Sequence, residues 1–136
     1  MEYSSGFITS ISREDVLNKI YNERKYFVEL RRDWSRGLRL IFMRKTSTTD
    51  YSFIGSGIIT GIVNPDRLNS YEKALCIKNN YYRKITFAQL TKYIPGINVN
   101  LIVRRNWKSF ALLHGVHLSS SEVKNIECLS KISVVS

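Results

Sequence analysis

The run Lys25-Tyr26-Phe27-Val28-Glu29-Leu30-Arg31-Arg32 sets a carboxylate and cationic groups inside a β-branched and aromatic segment rather than beside it. In an extended chain Lys25, Phe27, Glu29 and Arg31 face one way, and Tyr26, Val28 and Leu30 face the other. The second set reads as one wall of a core. The first presents an acid and a base about 7 Å apart, two residues of strand rise, and so a surface suited to a polar ligand.

Arg31, Arg32, Trp34, Arg36 and Arg39 then crowd into one short stretch. Guanidinium forks grip phosphate through paired hydrogen bonds, and an indole offers a face on which a base can stack. Trp34 lies in a polar loop, where it either meets a ligand or covers one end of the core. Arg104, Arg105, Trp107 and Lys108 repeat the recipe directly after a predicted strand, so both basic-aromatic loops are candidates for nucleic-acid contact. Tyr51, beside Asp50, and Tyr81-Tyr82-Arg83-Lys84 are weaker candidates, because tyrosines often only edge a core. Arg44 and Lys45 add attraction to phosphate without specificity.

Other chemistries find less support. His114 and His117 have no cysteine or acidic partner nearby in sequence, which argues against zinc. Gly-x-Ser-x-Gly is absent, so a hydrolase triad is unsupported. Gly55, Gly57 and Gly61 mimic a glycine-rich phosphate loop, yet strand-like Ile58-Ile59-Thr60-Gly61-Ile62-Val63 follows where a helix is required. No metal and no cofactor is expected.

The 136 residues carry a net charge of +10. Residues 24–108 hold 17 Lys and Arg against 5 Asp and Glu, or +12, while residues 1–23 hold 2 against 4, or −2. This central field favours polyanions, with nucleic acid first. Cys76 and Cys128 stand far apart and read as small hydrophobes in a reducing compartment. The longest apolar stretch, 53–63, is too short to span a bilayer. With no targeting pattern at the N-terminus, a soluble cytoplasmic protein without a membrane partner is expected.

One domain of this length can bury an adequate core. Its predicted elements are a strand over 7–11, a helix over 13–23 capped by Ser12, and strands over 26–31, 38–44 and 53–63. Residues 64–80 are ambiguous between short helix and loop. Phe87, Leu90, Tyr93 and Ile94 have helical spacing, which predicts a helix over 85–94 stopped by Pro95-Gly96. Strands over 99–103 and 110–113 follow. Ser119-Ser120-Ser121-Glu122 is a capping box for a last helix over 120–129, with Val123, Ile126 and Leu129 on its apolar face. The class is α+β, with about five or six strands and flanking helices.

A capped helix leads into a strand carrying Glu29 and Arg31, then Gly37, a strand, a polar connection and the glycine-bearing strand 53–63. In this order the chain resembles the ASCH domain and its relatives in the PUA-like superfamily, among them the EVE and YTH domains. The resemblance covers roughly residues 7–118. The ASCH pattern Gly-x-Lys-x-x-Glu-x-Arg is met in Glu29 and Arg31, whereas Tyr26 holds the lysine position, Lys25 stands one residue early, and Arg24 holds the glycine position. The resemblance implies a small β-barrel with flanking helices, and binding of RNA or modified nucleic acid in a cleft beside it.

Three functions follow from these readings. The first is a nucleic-acid-binding module for RNA, or a single strand with a flipped or modified base, using Lys25, Glu29, Arg31, Arg32, Trp34, Arg36, Arg39, Tyr51, Arg104, Arg105, Trp107 and Lys108. The second is a small ASCH-type ribonuclease with Glu29 as acid or base and Arg31 or Lys25 on the phosphate. The third is a DNA-binding regulator in which 86–96 forms half of a helix-turn-helix.

Overall fold

The structure is a computed structural model that describes residues 5–29, 31, 34–47, 50–103 and 115–130, and the backbone of 131–134. It is α+β, as expected, with seven strands among the described residues where five or six were predicted for the chain, and three α-helices among the described residues. In chain order these are β1 (Gly6–Ser10), α1 (Glu14–Glu23), β2 (Lys25–Val28), β3 (Arg39–Lys45), β4 (Tyr51–Val63), α2 (Ser70–Asn79), β5 (Arg83–Asn98), β6 (His117–Leu118), α3 (Ser120–Leu129) and β7 (Lys131–Val134). The sheet runs β2-β5-β4-β3-β1-β6, with β7 on the far part of β5. Pairing is antiparallel except between β1 and β3. Among the described residues no helix is long and apolar enough to cross a membrane.

Alternation along β3 divides the core in two. Leu40 and Phe42 join Ile11, Ile20, Tyr26, Val28, Ile59, Ile85, Phe87 and Leu90 on the side covered by α1. Ile41 and Met43 join Ile8, Phe53, Tyr93, Ile97, Val123 and Ile126 on the side covered by α3. The first cluster draws side chains from β1 to β5, and the buried Tyr26 of β2 lies beside Thr9 of β1. Those two strands are four steps apart in the sheet, so the sheet rolls round this core without a β1–β2 ladder. The result is an incomplete barrel with a seam between β1 and β2.

Close approach explains Gly55. A Cβ there would collide with the Tyr21 hydroxyl of α1 and the Thr91 carbonyl of β5, and that hydroxyl donates to the same carbonyl at 2.9 Å. Any side chain would push α1 off the sheet.

Several expectations are corrected. The helix over 85–94 is strand: Gln89 adopts φ 50° and interrupts β5, so that Ile58 faces Ala88 and Ser56 faces Thr91. This extra residue resets the alternation, so Phe87 and Leu90, three apart, bury on the same side of the sheet through a bulge rather than a helical turn, while Tyr93 buries on the opposite side by ordinary alternation. The half of a helix-turn-helix is lost with it. The strand over 99–103 is a single 3-10 turn, Val99–Leu101. The ambiguous 64–80 contains α2, capped by Asn69, whose side chain accepts from the Glu72 N–H. Helix α1 starts after Arg13 rather than Ser12 and has no side-chain cap. The capping box of α3 is present, but Leu129 is exposed. The expected strand 110–113 lies outside the described residues.

Candidate functional site at the barrel seam

Strand β2 ends at Val28, three residues short of its expected end, so Glu29 and Arg31 lie beyond the pleat and alternation no longer sorts them. Within the strand the sorting holds. Tyr26 and Val28 enter the core, and Lys25 shares the opposite face with Phe27. That opposite face is partly filled by neighbouring side chains, and a hollow of about 210 Å³ remains there between Lys19, Glu23, Lys25, Phe27 and Glu72. Phe27 is buried against Tyr81, with ring centres 5.6 Å apart, and Lys19 lies over its ring. Lys25 reaches Glu72 of α2 at 3.4 Å, and Lys84 of β5 reaches the same carboxylate at 2.8 Å. Burial alone would raise the Glu72 pKa, but the hydrogen bond and charge of Lys84, with Lys25 behind it, hold the carboxyl below its ordinary value.

The hollow that brings Glu29 together with two phenols lies on the seam. Ser10, Ile11, Ser12 and Arg13 leave β1 for α1, and with Val16, Tyr26, Glu29 and Tyr81 they enclose a hollow of about 210 Å³. A second hollow of about 90 Å³ shares Arg13, Val16, Tyr26 and Tyr81, and extends the groove under α1 towards Lys19 and α2. The Tyr26 phenol is pushed up to about 12, first by burial, with Thr9 beside it opposing and the Glu29 charge contributing. It is therefore neutral at physiological pH. The Tyr81 phenol is raised too, by burial first, with Arg13 opposing and Glu29 assisting. The Glu29 carboxylate itself is exposed, and no cation among the described residues lies within 4.0 Å of it.

Next to this hollow, Tyr82 follows Tyr81 and its N–H donates to the Val28 carbonyl at 2.6 Å, which ties it to the end of β2. Two guanidinium groups share its ring: Arg83 at 3.7 Å and Arg31 at 5.2 Å from the ring centre. Arg83 also donates to the Tyr82 carbonyl at 2.7 Å. Neither arginine has a carboxylate within salt-bridge distance among the described residues. Two like charges are thus held on one aromatic ring, next in the chain to the groove-lining Tyr81, an arrangement that an anion between them would relieve.

The remaining expected residues scatter. Trp34 is half-buried against the α1-side core, which makes it a cover for that end of the core. Arg36 is exposed in the turn before β3. Arg39 is largely buried and bonded to Glu127 of α3 at 3.3 Å, so its charge belongs to the other side of the sheet. Tyr51 packs on the α3-side core. Arg44 pairs with Glu14. Arg32, Arg104, Arg105, Trp107, Lys108 and His114 lie outside the described residues, and His117 stands edge-on to Phe7. No group of three or more metal-binding side chains occurs among the described residues. Ser10, Ser12 and Arg13 carry no compositional signal and did not stand out in the sequence, whereas Tyr81, Tyr82 and Arg83 were underrated although their aromatic-basic run was the available clue.

At the positions of the ASCH pattern the substitutions have distinct consequences. Arg24, at the glycine position, adopts φ 58°, the left-handed conformation that glycine favours, and its N–H closes α1 on the Ile20 carbonyl at 2.9 Å. Tyr26, where the ASCH pattern has lysine, brings a phenol held neutral by burial to the hollow. Lys25 does not stand in for that lysine, because the pleat turns it to Glu72 on the other face.

No protein-family model matches the sequence, and no curated protein matches it. Solved structures do match the fold. A serine-to-alanine variant of ASCH from Zymomonas mobilis superposes with a TM-score of 0.62 at 10% identity, covering 96% of this chain and 98% of that one. The ASCH structure from the same organism gives 0.61 at 11%, covering 95% and 96%. A tyrosine-to-phenylalanine variant gives 0.61 at 11%, covering 95% and 99%. The chain shares the fold of these ASCH structures along nearly its whole length.

Proposed function

We propose that this chain is a nucleic-acid-binding module that takes single-stranded RNA along the seam, with a base in the hollow between Tyr26, Glu29 and Tyr81 and the adjoining phosphate on Arg31 and Arg83. The observation that carries the reading is the guanidinium pair on Tyr82, which has no described carboxylate beside it and adjoins a hollow edged by two phenols. Backbone attraction supplies affinity, and an aromatic-edged hollow accepts an unstacked base that a regular duplex would withhold. The net charge of +10 supports the same class of partner. RNA ranks above DNA because its recognised bases are so often splayed from loops and single strands. The ammonium missing from the lysine position favours binding over cleavage.

Fluorescence anisotropy with a labelled 12-nucleotide single-stranded RNA, and its DNA counterpart, tests this reading. Binding at low salt is expected, tighter for RNA, and weakened about tenfold or more by Arg31→Ala combined with Arg83→Ala. The salt slope should fall by about 0.7 for each phosphate that the variant no longer neutralises. Absence of binding at low salt, or equal binding by the double variant, refutes it. Cleavage of the labelled RNA by the wild type, abolished in Glu29→Gln, would instead support the ribonuclease.

A further inference from the structure

Resting on that reading, we infer that the seam hollow selects guanine, through the Glu29 carboxylate. Glu29 is the acidic residue among the side chains that line the first hollow, and it is exposed there with no cation within salt-bridge distance among the described residues. Of the other described carboxylates, Asp15 pairs with Arg13, Glu14 with Arg44, Glu72 with Lys84 and Lys25, and Glu127 with Arg39, while Asp50 and Glu122 accept local hydrogen bonds from Ser47 and from the Ser119 N–H; Glu23 and Asp66 also lack a described cation within salt-bridge distance but lie outside the seam hollow. In a chain with 21 cationic side chains and 11 acidic ones, a carboxylate left unmatched in a hollow is an acceptor presented to a ligand. It repels phosphate, so what it meets must be the donor-bearing edge of a base.

The geometry of a carboxylate narrows the choice. Its two oxygens accept two parallel N–H bonds, and it has no donor of its own when ionised. Guanine presents two adjacent donors on its Watson–Crick edge, the ring N1–H and the exocyclic N2–H₂. Adenine and cytosine each present one amino group beside an acceptor nitrogen, which a carboxylate repels. Uracil presents one N–H between two carbonyl oxygens. Guanine alone among the four offers donors to both oxygens. Tyr26 and Tyr81 line the hollow with Glu29 and offer ring surface against which the base would pack.

Four labelled uridine-rich 12-nucleotide RNAs, with G, A, C or U at the central position, test the inference by anisotropy at low salt. The wild type is expected to prefer the G-containing strand by about tenfold to a hundredfold, the range of one good bidentate contact. Glu29→Gln should erase that preference and raise the relative affinity for the A-containing strand, because a glutamine amide pairs with adenine as donor and acceptor. Its melting temperature serves as the control for folding. Equal binding of all four strands by the wild type, or a guanine preference that survives Glu29→Gln, overturns the inference while leaving the binding function standing. Failure to bind any of the four overturns both.

Discussion

Two carboxylates flank β2 and are used in opposite ways. Glu72, buried beneath α2, takes Lys84 at 2.8 Å and Lys25 at 3.4 Å, while its own N–H is held by Asn69. Glu29, just past the strand's other end, is exposed beside two phenols and meets no described cation. The first carboxylate ties α2 and β5 to β2. The second leaves the barrel seam with an unmatched acceptor. Charge matching thus separates a structural face from one suited to a ligand, within a single four-residue strand.

The sharpest way to break this contrast is to remove Glu72. Glu72→Ala leaves two lysines clustered and partly desolvated, so unfolding in urea is expected to lose about 2–4 kcal/mol. A loss below about 0.5 kcal/mol would show that the two lysines are as well served by water. The same carboxylate sets an acid limb. Its pKa in the folded chain lies below the ordinary 4.5, so its stabilisation is present above that value and is lost as pH falls through the folded pKa. Melting temperature against pH should therefore drop in acid more steeply for the wild type than for Glu72→Gln.

On the seam face the effects on stability are smaller. Tyr26→Phe keeps the ring but removes the phenol oxygen beside the buried Thr9 side chain, for an expected loss of about 0.5–1.5 kcal/mol by urea unfolding. A neutral result would mean that Thr9 does not depend on that oxygen. Smallest of all, Glu29→Gln should change stability by less than about 0.5 kcal/mol, as an exposed side chain without an ion pair. A larger loss would give Glu29 a structural role and remove the contrast with Glu72.

Locally determined features were legible from the residues alone. The helical spacing of Val16, Leu17 and Ile20 marks α1, the Ser119–Glu122 capping box marks the start of α3, and the apolar run at 53–63 marks most of β4. Each depends on neighbours within a turn or on simple alternation. Strand β5 was not legible, because its bulge at Gln89 is imposed by pairing with β4 and leaves the spacing of a helix behind. The site divides the same way. Glu29 and Arg31 stood out as charges in an apolar segment, whereas Ser10–Arg13, Tyr81 and Arg83 gain meaning only when remote segments meet.

By itself, then, the sequence determined the α+β class, a basic centre, and Glu29 and Arg31 as residues of interest, since composition and short-range periodicity are properties of the chain. Tertiary structure alone decided that Lys25 turns from Glu29 to Glu72, that Arg39 serves α3, and that Arg83 joins Arg31 on Tyr82. The physical reason is the pleat of β2 and the rolling of the sheet. One separates side chains that are close in sequence, and the other brings the ends of β1 and β2 together across a gap that no ladder fills.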